Sequence, residues 1–225
     1  MKKIFLVFCC AGFVFFAQAG HPFNTLGSVL VGDGEVEIET SVETDFVEDG
    51  DLGIGAGIIY GIGERFNIGL GNGWTVNKKD TDKRGFETPE LFMQFALIPD
   101  VLSIAGYSVI AGSDFGSVLI YTLALKSDTE LNFNTGFNKC RDEDNSEVNS
   151  FAYAFSVIQP INSLFVGAEV FGVAYKDMEE KPSWQIGLGY EFKNSSVVSL
   201  GFGGSFDTND DLSITLGFTF VLGGK

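Results

Sequence analysis

The sequence has 225 residues, and its 30 acidic residues outnumber 14 basic ones to give a formal net charge of -16. This acidic excess excludes a nucleic-acid partner, because binding to a phosphate backbone requires basic patches. Glycine (29 residues) and phenylalanine (23 residues) are both frequent, a combination that is typical of closed β-barrels.

The first residues have the pattern of a secretory signal peptide. Lys2 and Lys3 precede an apolar run that reaches Phe16, and Ala17 and Ala19 supply the small residues of a cleavage site. The segment that follows has no clear periodicity, and we expect it on the periplasmic side, either beneath a barrel or folded into its lower lumen. The predicted parts of the chain are residues 1–19 (signal peptide, cleaved), 20–34 (periplasmic lead-in) and 35–225 (transmembrane β-barrel).

Twelve segments then alternate bulky apolar side chains with small or polar ones. Residues 184–192 show the pattern best, with Trp184, Ile186, Leu188 and Tyr190 separated by glycine and polar residues. A period of two indicates a β-strand with two different faces, and about 9–11 residues is the length that a tilted strand needs to cross a bilayer. The predicted strands are residues 35–46, 52–62, 66–76, 88–98, 102–112, 116–125, 129–138, 151–158, 164–175, 184–192, 198–206 and 212–222.

The connections between these segments alternate between two kinds. Charged or acidic loops, such as residues 77–84 and 139–149, alternate with short turns rich in glycine, proline, asparagine and serine. This alternation indicates an up-and-down arrangement, with long loops outside the cell and short turns on the periplasmic side. The predicted fold is therefore all-β, a transmembrane up-and-down antiparallel β-barrel of about 12 strands in an outer membrane.

Charge decides which strand face meets lipid. The bulky face has no ionised side chain within the strand cores, whereas the glycine-rich face has several carboxylates. A cation facing lipid at the midplane costs about 2–4 kcal/mol, and Asp or Glu somewhat less, so the glycine-rich face should line the lumen. The predicted lumen-lining residues are Glu37, Glu39, Glu43, Asp45, Glu90, Phe92, Tyr107, Glu169 and Glu191.

A soluble lipocalin-like barrel or β-sandwich is the alternative fold. Its second face would meet water and should be dense in Lys, Thr and Glu, but here that face is dense in Gly, Ala, Ser and Asn. Aromatic residues near the strand ends also favour a membrane barrel, because aromatic girdles mark both membrane interfaces. The predicted interface aromatics are Tyr60, Phe66, Trp74, Trp184, Tyr190 and Phe220.

The sequence offers little catalytic chemistry. His21 is the only histidine, and it precedes the first strand, so a nucleophile paired with a histidine base on the barrel rim is not expected. No cluster of histidines and cysteines has the spacing of a metal site. We expect neither an enzyme nor a resident cofactor or metal.

Two functions fit these residues. The first is passive uptake of small solutes, aromatic or cationic, through a narrow acidic lumen, since a column of carboxylates favours cations. The second is a closed structural or adhesive barrel that acts through its acidic external loops. The expected partners are outer-membrane lipid and an unidentified small solute, and the sequence does not indicate an oligomeric state.

Two stretches resemble a known family. The string His-Pro-Phe-Asn-Thr at residues 21–25, followed by Gly-Asp-Gly-Glu-Val-Glu-Ile-Glu at residues 32–39, is similar to the start of outer-membrane proteins of the meta-pathway of phenol degradation family. Residues 60–70, Tyr-Gly-Ile-Gly-Glu-Arg-Phe-Asn-Ile-Gly-Leu, resemble that family's first periplasmic hairpin. The resemblance implies a barrel channel for small, often aromatic, compounds. The family usually has a Thr-Asp-Asp-like run where this chain has Thr25 followed by Leu26 and Gly27.

Overall fold

The computed structural model describes residues 23, 27–45, 51–77, 85–86, 88–110, 112–141, 147–175, 182–193, 195–206 and 212–223. The predicted signal peptide, His21 and much of the predicted external loops lie outside these residues. Within them, no helix is long and apolar enough to cross a membrane.

The described residues form thirteen β-strands, of which one has only two residues. The strands are β1 (Val36–Asp45), β2 (Asp51–Ile62), β3 (Phe66–Asn77), β4 (Gly85–Phe86), β5 (Glu90–Ile98), β6 (Leu102–Val109), β7 (Phe115–Ala124), β8 (Glu130–Arg141), β9 (Glu147–Ile161), β10 (Leu164–Tyr175), β11 (Ser183–Glu191), β12 (Val197–Ser205) and β13 (Ser213–Leu222).

The sheet closes on itself. Each strand pairs antiparallel with its neighbour in sequence, and β1 pairs with β13, so that Val36 lies opposite Leu222. The short β4 extends the edge of β3 beyond the end of β5, so twelve strands make up the wall. Closure leaves the wall strands that the structure describes without a free sheet edge, as a bilayer requires because lipid cannot satisfy exposed backbone groups. The predicted twelve-stranded, up-and-down antiparallel barrel is confirmed.

One end of the barrel is made of tight turns. This turn end also holds the first residue of β1 and the last residue of β13. Each of its five hairpin turns contains a residue with positive φ, a backbone conformation that tight hairpins need and that Gly, Asn and Asp adopt most readily. These residues are Gly63, Asp100, Asp128, Asn162 and Ser195. The opposite end, here the loop end, has the longer connections.

The β8–β9 hairpin differs from its prediction. The sequence predicts an acidic loop over residues 139–149, but β8 and β9 stay paired as far as Arg141 and Glu147. Lys139 and Glu147 form a salt bridge there, with 2.9 Å between Nζ and Oε2. Cys140, expected in that polar loop, is instead buried on β8 and packs against Tyr175. Alternation was hard to recognise here because both faces of the hairpin are polar.

The outward face is apolar. On β11, Ile186 and Leu188 are each 51% exposed, and their neighbours Val166 and Leu200 on adjoining strands are also exposed. Large apolar side chains that stay exposed all round a barrel form a belt that water would disfavour and hydrocarbon would favour. Lipid therefore covers this face, as the distribution of carboxylates predicts.

Candidate functional site

The inward face is polar. Uncharged polar side chains from most of the strands are buried inside the wall, where they replace the apolar core of a soluble protein. They include Ser41, Asn67, Gln94, Ser103, Thr122, Asn132, Asn134, Asn138, Ser150, Ser156, Gln185, Ser199 and Thr219. An apolar exterior around a polar interior is the arrangement of a membrane barrel with a water-accessible lumen.

The carboxylates of β1 follow this inward face. Glu39 is 1% exposed and lies between Gly57 of β2 and Thr219 of β13 in the register. Glu37, Glu43 and Asp45 have the same parity on β1 and are half-buried. Alternate residues of a strand are about 7 Å apart, so these side chains form a column along the wall.

Three further predicted carboxylates lie elsewhere on the wall. Glu169 of β10 is buried at 3% exposure, and it lies beside Gln185 of β11 and Ser156 of β9 in the register. Glu90 begins β5 at the loop end and is half-buried, whereas Glu191 ends β11 at the turn end and is exposed. Glu191 therefore lies at the mouth of the barrel and not within its bore. The part that these carboxylates play in conduction stays a prediction.

An apolar patch lies on the inner face of β5, β6 and β7. Phe92 of β5, Tyr107 of β6 and Val118 and Ile120 of β7 are buried and pack together with Ala105. In the ring of wall strands, this patch lies between a quarter of a turn and about two fifths of a turn from β1. The β1 carboxylates and this patch thus lie on different parts of the inner face, and Phe92 and Tyr107 belong to the patch.

The lead-in also contributes to the interior. Ser28 is 1% exposed and Phe23 is 4% exposed, and both contact inner-wall residues. The wall residues that bind the lead-in, Gln94, Ser103 and Thr122, were absent from the predicted site. Uncharged polar residues at inward positions of neighbouring strands were the available signal for them.

The predicted interface aromatics fall at the two ends of the barrel. Tyr60, Tyr190 and Phe220 are exposed near the turn end, and Phe66 is half-buried there. Trp74 and Trp184 are half-buried near the loop end, and the Trp184 ring packs edge-on against Phe202 with centroids 5.7 Å apart. Their contact with lipid headgroups stays a prediction.

A closed twelve-stranded barrel with an apolar belt outside and a polar interior defines a transmembrane β-barrel of the kind found in the outer membrane of Gram-negative bacteria. The chain is similar in fold to an outer membrane channel from Pseudomonas putida F1, with a TM-score of 0.63 and 6% sequence identity over 87% of this chain and 98% of that chain. It is also similar to the translocator domain of the autotransporter NalP from Neisseria meningitidis, with a TM-score of 0.53 and 12% identity over 86% of this chain and 89% of that chain.

These identities are low, so the similarity concerns the fold. No protein-family model matches the sequence, and no curated protein matches it. The resemblance to the phenol-degradation family therefore stays a prediction, while the outer-membrane barrel to which it pointed is confirmed. Among the described residues, no three His, Cys, Asp or Glu side chains are grouped so that they could hold a metal ion.

Proposed function

We propose that this outer-membrane barrel is a narrow channel for the passive uptake of small solutes, with a preference for cations. The observation that carries the proposal is the polar inner wall with its carboxylate column on β1 and the buried Glu169 on β10. The strands that the structure describes contain two basic residues, Lys139 and Arg141, both at the loop end of β8.

The β1 carboxylates and the apolar patch on β5, β6 and β7 together support a more specific solute class. A small organic cation has a charged group that suits the β1 carboxylates and an apolar body that suits the rings of Phe92 and Tyr107. The proposed preference for aromatic or cationic compounds follows from the presence of both carboxylates and aromatic rings on the inner face. The outer-membrane channel of similar fold from Pseudomonas putida F1 also supports a role in transport.

The experiment is a bilayer conductance measurement on the refolded protein. Reversal potentials in a KCl gradient report the preference for cations over anions. A carboxylate about 7 Å from a passing cation stabilises it by about 0.6 kcal/mol in a water-like dielectric, and salt screens part of this. Replacing Glu37, Glu39 and Glu43 with Gln should therefore lower the cation preference by roughly 2–3-fold per charge at low salt.

A control variant removes three carboxylates from the turns. Glu64→Gln, Asp100→Asn and Asp128→Asn change exposed residues outside the bore, and Asn tolerates the positive φ of Asp100 and Asp128. This variant should keep the cation preference of the wild type. An equal loss in both triple variants would mean that overall charge, and not the column on β1, sets selectivity.

The second candidate function is a closed structural or adhesive barrel. The lead-in inside the bore and the packing of Phe23 against Phe165 favour it, because both narrow the lumen near the turn end. Such a barrel would give no single-channel current and no swelling of liposomes in isosmotic solute. Solute-dependent swelling would decide for the channel.

A further inference from the structure

We propose that Glu39, Thr219 and Ser199 form a binding site for a single alkali cation on the inner wall, where a cation that crosses the bore rests. The inference deepens the proposed function: its place on a conduction path rests on that proposal, whereas binding of the cation does not. The three residues come from β1, β13 and β12, which are consecutive strands of the wall. Below, these three residues are called the oxygen site.

The two hydroxyl groups of the oxygen site are buried. Ser199 is 2% exposed and Thr219 is 5% exposed. Within the ranges that the structure describes, neither Oγ of Ser199 nor Oγ1 of Thr219 has a hydrogen-bond partner. Burial of a hydroxyl without a hydrogen bond is unfavourable, and folded proteins normally satisfy such a group with protein, water or a ligand. Two such groups on neighbouring strands therefore indicate a species that the inner wall binds through oxygen.

The register brings these hydroxyls and a carboxylate to one place. Thr219 lies directly opposite Glu39 of β1, and the two side chains are on the same face of the sheet. On the other side of β13, Ser199 lies opposite Gly217, two residues before Thr219. Directly opposed Cβ atoms are about 4.5–5.5 Å apart, and diagonal neighbours are about 7–8 Å apart. Gly217 places no side chain between the three oxygen-bearing groups.

The donor set of the oxygen site fits a small monovalent cation. Carboxylate and hydroxyl oxygens are hard ligands, which hard cations prefer. A cation held between two oxygens separates them by roughly 5 Å, since each contact measures about 2.3–2.6 Å for an ion of the size of Na⁺ or Ca²⁺. Side chains that reach inward from diagonal positions match this spacing. Calcium sites take about six to eight oxygens, often from several carboxylates, whereas one carboxylate balances the single charge of Na⁺.

The oxygen site lies within the carboxylate column of β1. Glu43 is on its loop-end side and Glu37 on its turn-end side, and both have the parity of Glu39. With a rise of about 3.4 Å per residue, the steps from Glu43 to Glu39 and from Glu39 to Glu37 are about 14 Å and 7 Å. Conduction requires several sites, each strong enough for an ion to enter and weak enough for it to leave. The oxygen site is the member of this column that adds hydroxyl ligands to a carboxylate.

The test compares two Thr→Val substitutions on the inner face of β13. Thr219→Val removes one hydroxyl of the oxygen site at nearly equal size. Thr215→Val makes the same change at a half-buried residue of the same parity, opposite Glu43, and is the matched control. Thr219→Ser keeps the hydroxyl and controls for the lost methyl group. Ser199→Ala removes the second hydroxyl and serves if Thr219→Val does not fold.

Two readouts follow each variant. Urea unfolding from phospholipid vesicles is measured in NaCl and in N-methylglucamine chloride at equal concentration, because a cation that binds the folded barrel stabilises it and the bulky organic cation does not fit between these oxygens. Single-channel conductance is measured against NaCl concentration, and its half-saturation reports affinity on the path. We expect Thr219→Val and Ser199→Ala each to raise the Na⁺ dissociation constant about three- to tenfold in both assays. Thr215→Val and Thr219→Ser should stay within about twofold of the wild type.

The outcomes separate the oxygen site from the channel. Equal stability of the wild type in the two salts, with a conductance that neither hydroxyl variant changes, would overturn the oxygen site and leave the channel standing; water would then satisfy the two hydroxyls. Stabilisation by Na⁺ that Thr219→Val weakens, without current from any protein, would support cation binding and overturn the channel function. A conductance that saturates with NaCl and shifts with Thr219→Val, but not with Thr215→Val, would support both.

Discussion

The apolar exterior predicts how the barrel responds to a charge placed on it. Leu188 is 51% exposed near the middle of β11, a strand of nine residues. With a rise of about 3.4 Å per residue and a tilt near 40°, nine residues span about 23 Å, close to the ~25 Å apolar band of such barrels. Leu188 is then about 9 Å from the nearer boundary.

Leu188→Arg should therefore destabilise the barrel strongly. Its register partners Val166 and Leu200 are apolar and exposed, so an arginine there would find no polar partner on either neighbouring strand. A cation near the midplane costs about 2–4 kcal/mol, and near an interface about 0–1 kcal/mol. The matched control is Leu222→Arg, which places the same charge on the outward face at the end of β13, where Leu222 is 53% exposed.

The assay is reversible guanidinium unfolding of the protein from phospholipid vesicles. We expect a loss of about 2–4 kcal/mol for Leu188→Arg and at most about 1 kcal/mol for Leu222→Arg. Equal losses at the two depths, or a loss below about 1 kcal/mol at residue 188, would refute the reasoning. The outward face would then be in contact with water, as in a soluble barrel.

Two other substitutions test packing and charge at single sites with the same unfolding assay. The Phe165 ring lies over Gly189, where a Cβ would overlap it, so Gly189→Ala should destabilise the barrel by about 1–3 kcal/mol; no loss would mean that the ring can turn aside. Lys139→Met removes the 2.9 Å ion pair with Glu147, whose side chain is 57% exposed, and should change stability by about 0–1 kcal/mol. A larger, salt-independent loss would contradict an exposed pair.

The number of strands and the face on which each side chain lies could be predicted because both follow from local alternation in the sequence. In a strand such as β11 every second residue is bulky and apolar, and the carboxylates of β1 all share the other parity. A shift of one residue would turn every side chain to the opposite face. The pattern therefore predicts the facing as well as the existence of each strand.

The position of the lead-in inside the barrel could not be predicted in this way. The contacts of Gly27 and Ser28 with Gln94, Ser103 and Thr122 join residues that are 67 to 94 positions apart in the sequence. The wall groups are common polar side chains, and the lead-in contributes backbone atoms, which carry no sequence signal. Only the closed barrel brings these groups together. The sequence was therefore compatible with a lead-in beneath the barrel and with one inside its lower lumen.

The pairing of β1 with β13 has a consequence for assembly. Val36 and Leu222 come from opposite ends of the described barrel, so the ring is completed by the contact that is most distant along the chain, which makes closure slow. A protein that ends before residue 213 would leave β1 and β12 with unsatisfied backbone groups in hydrocarbon, each at several kcal/mol. Stable insertion of the whole wall therefore depends on the pairing of β13 with both β1 and β12.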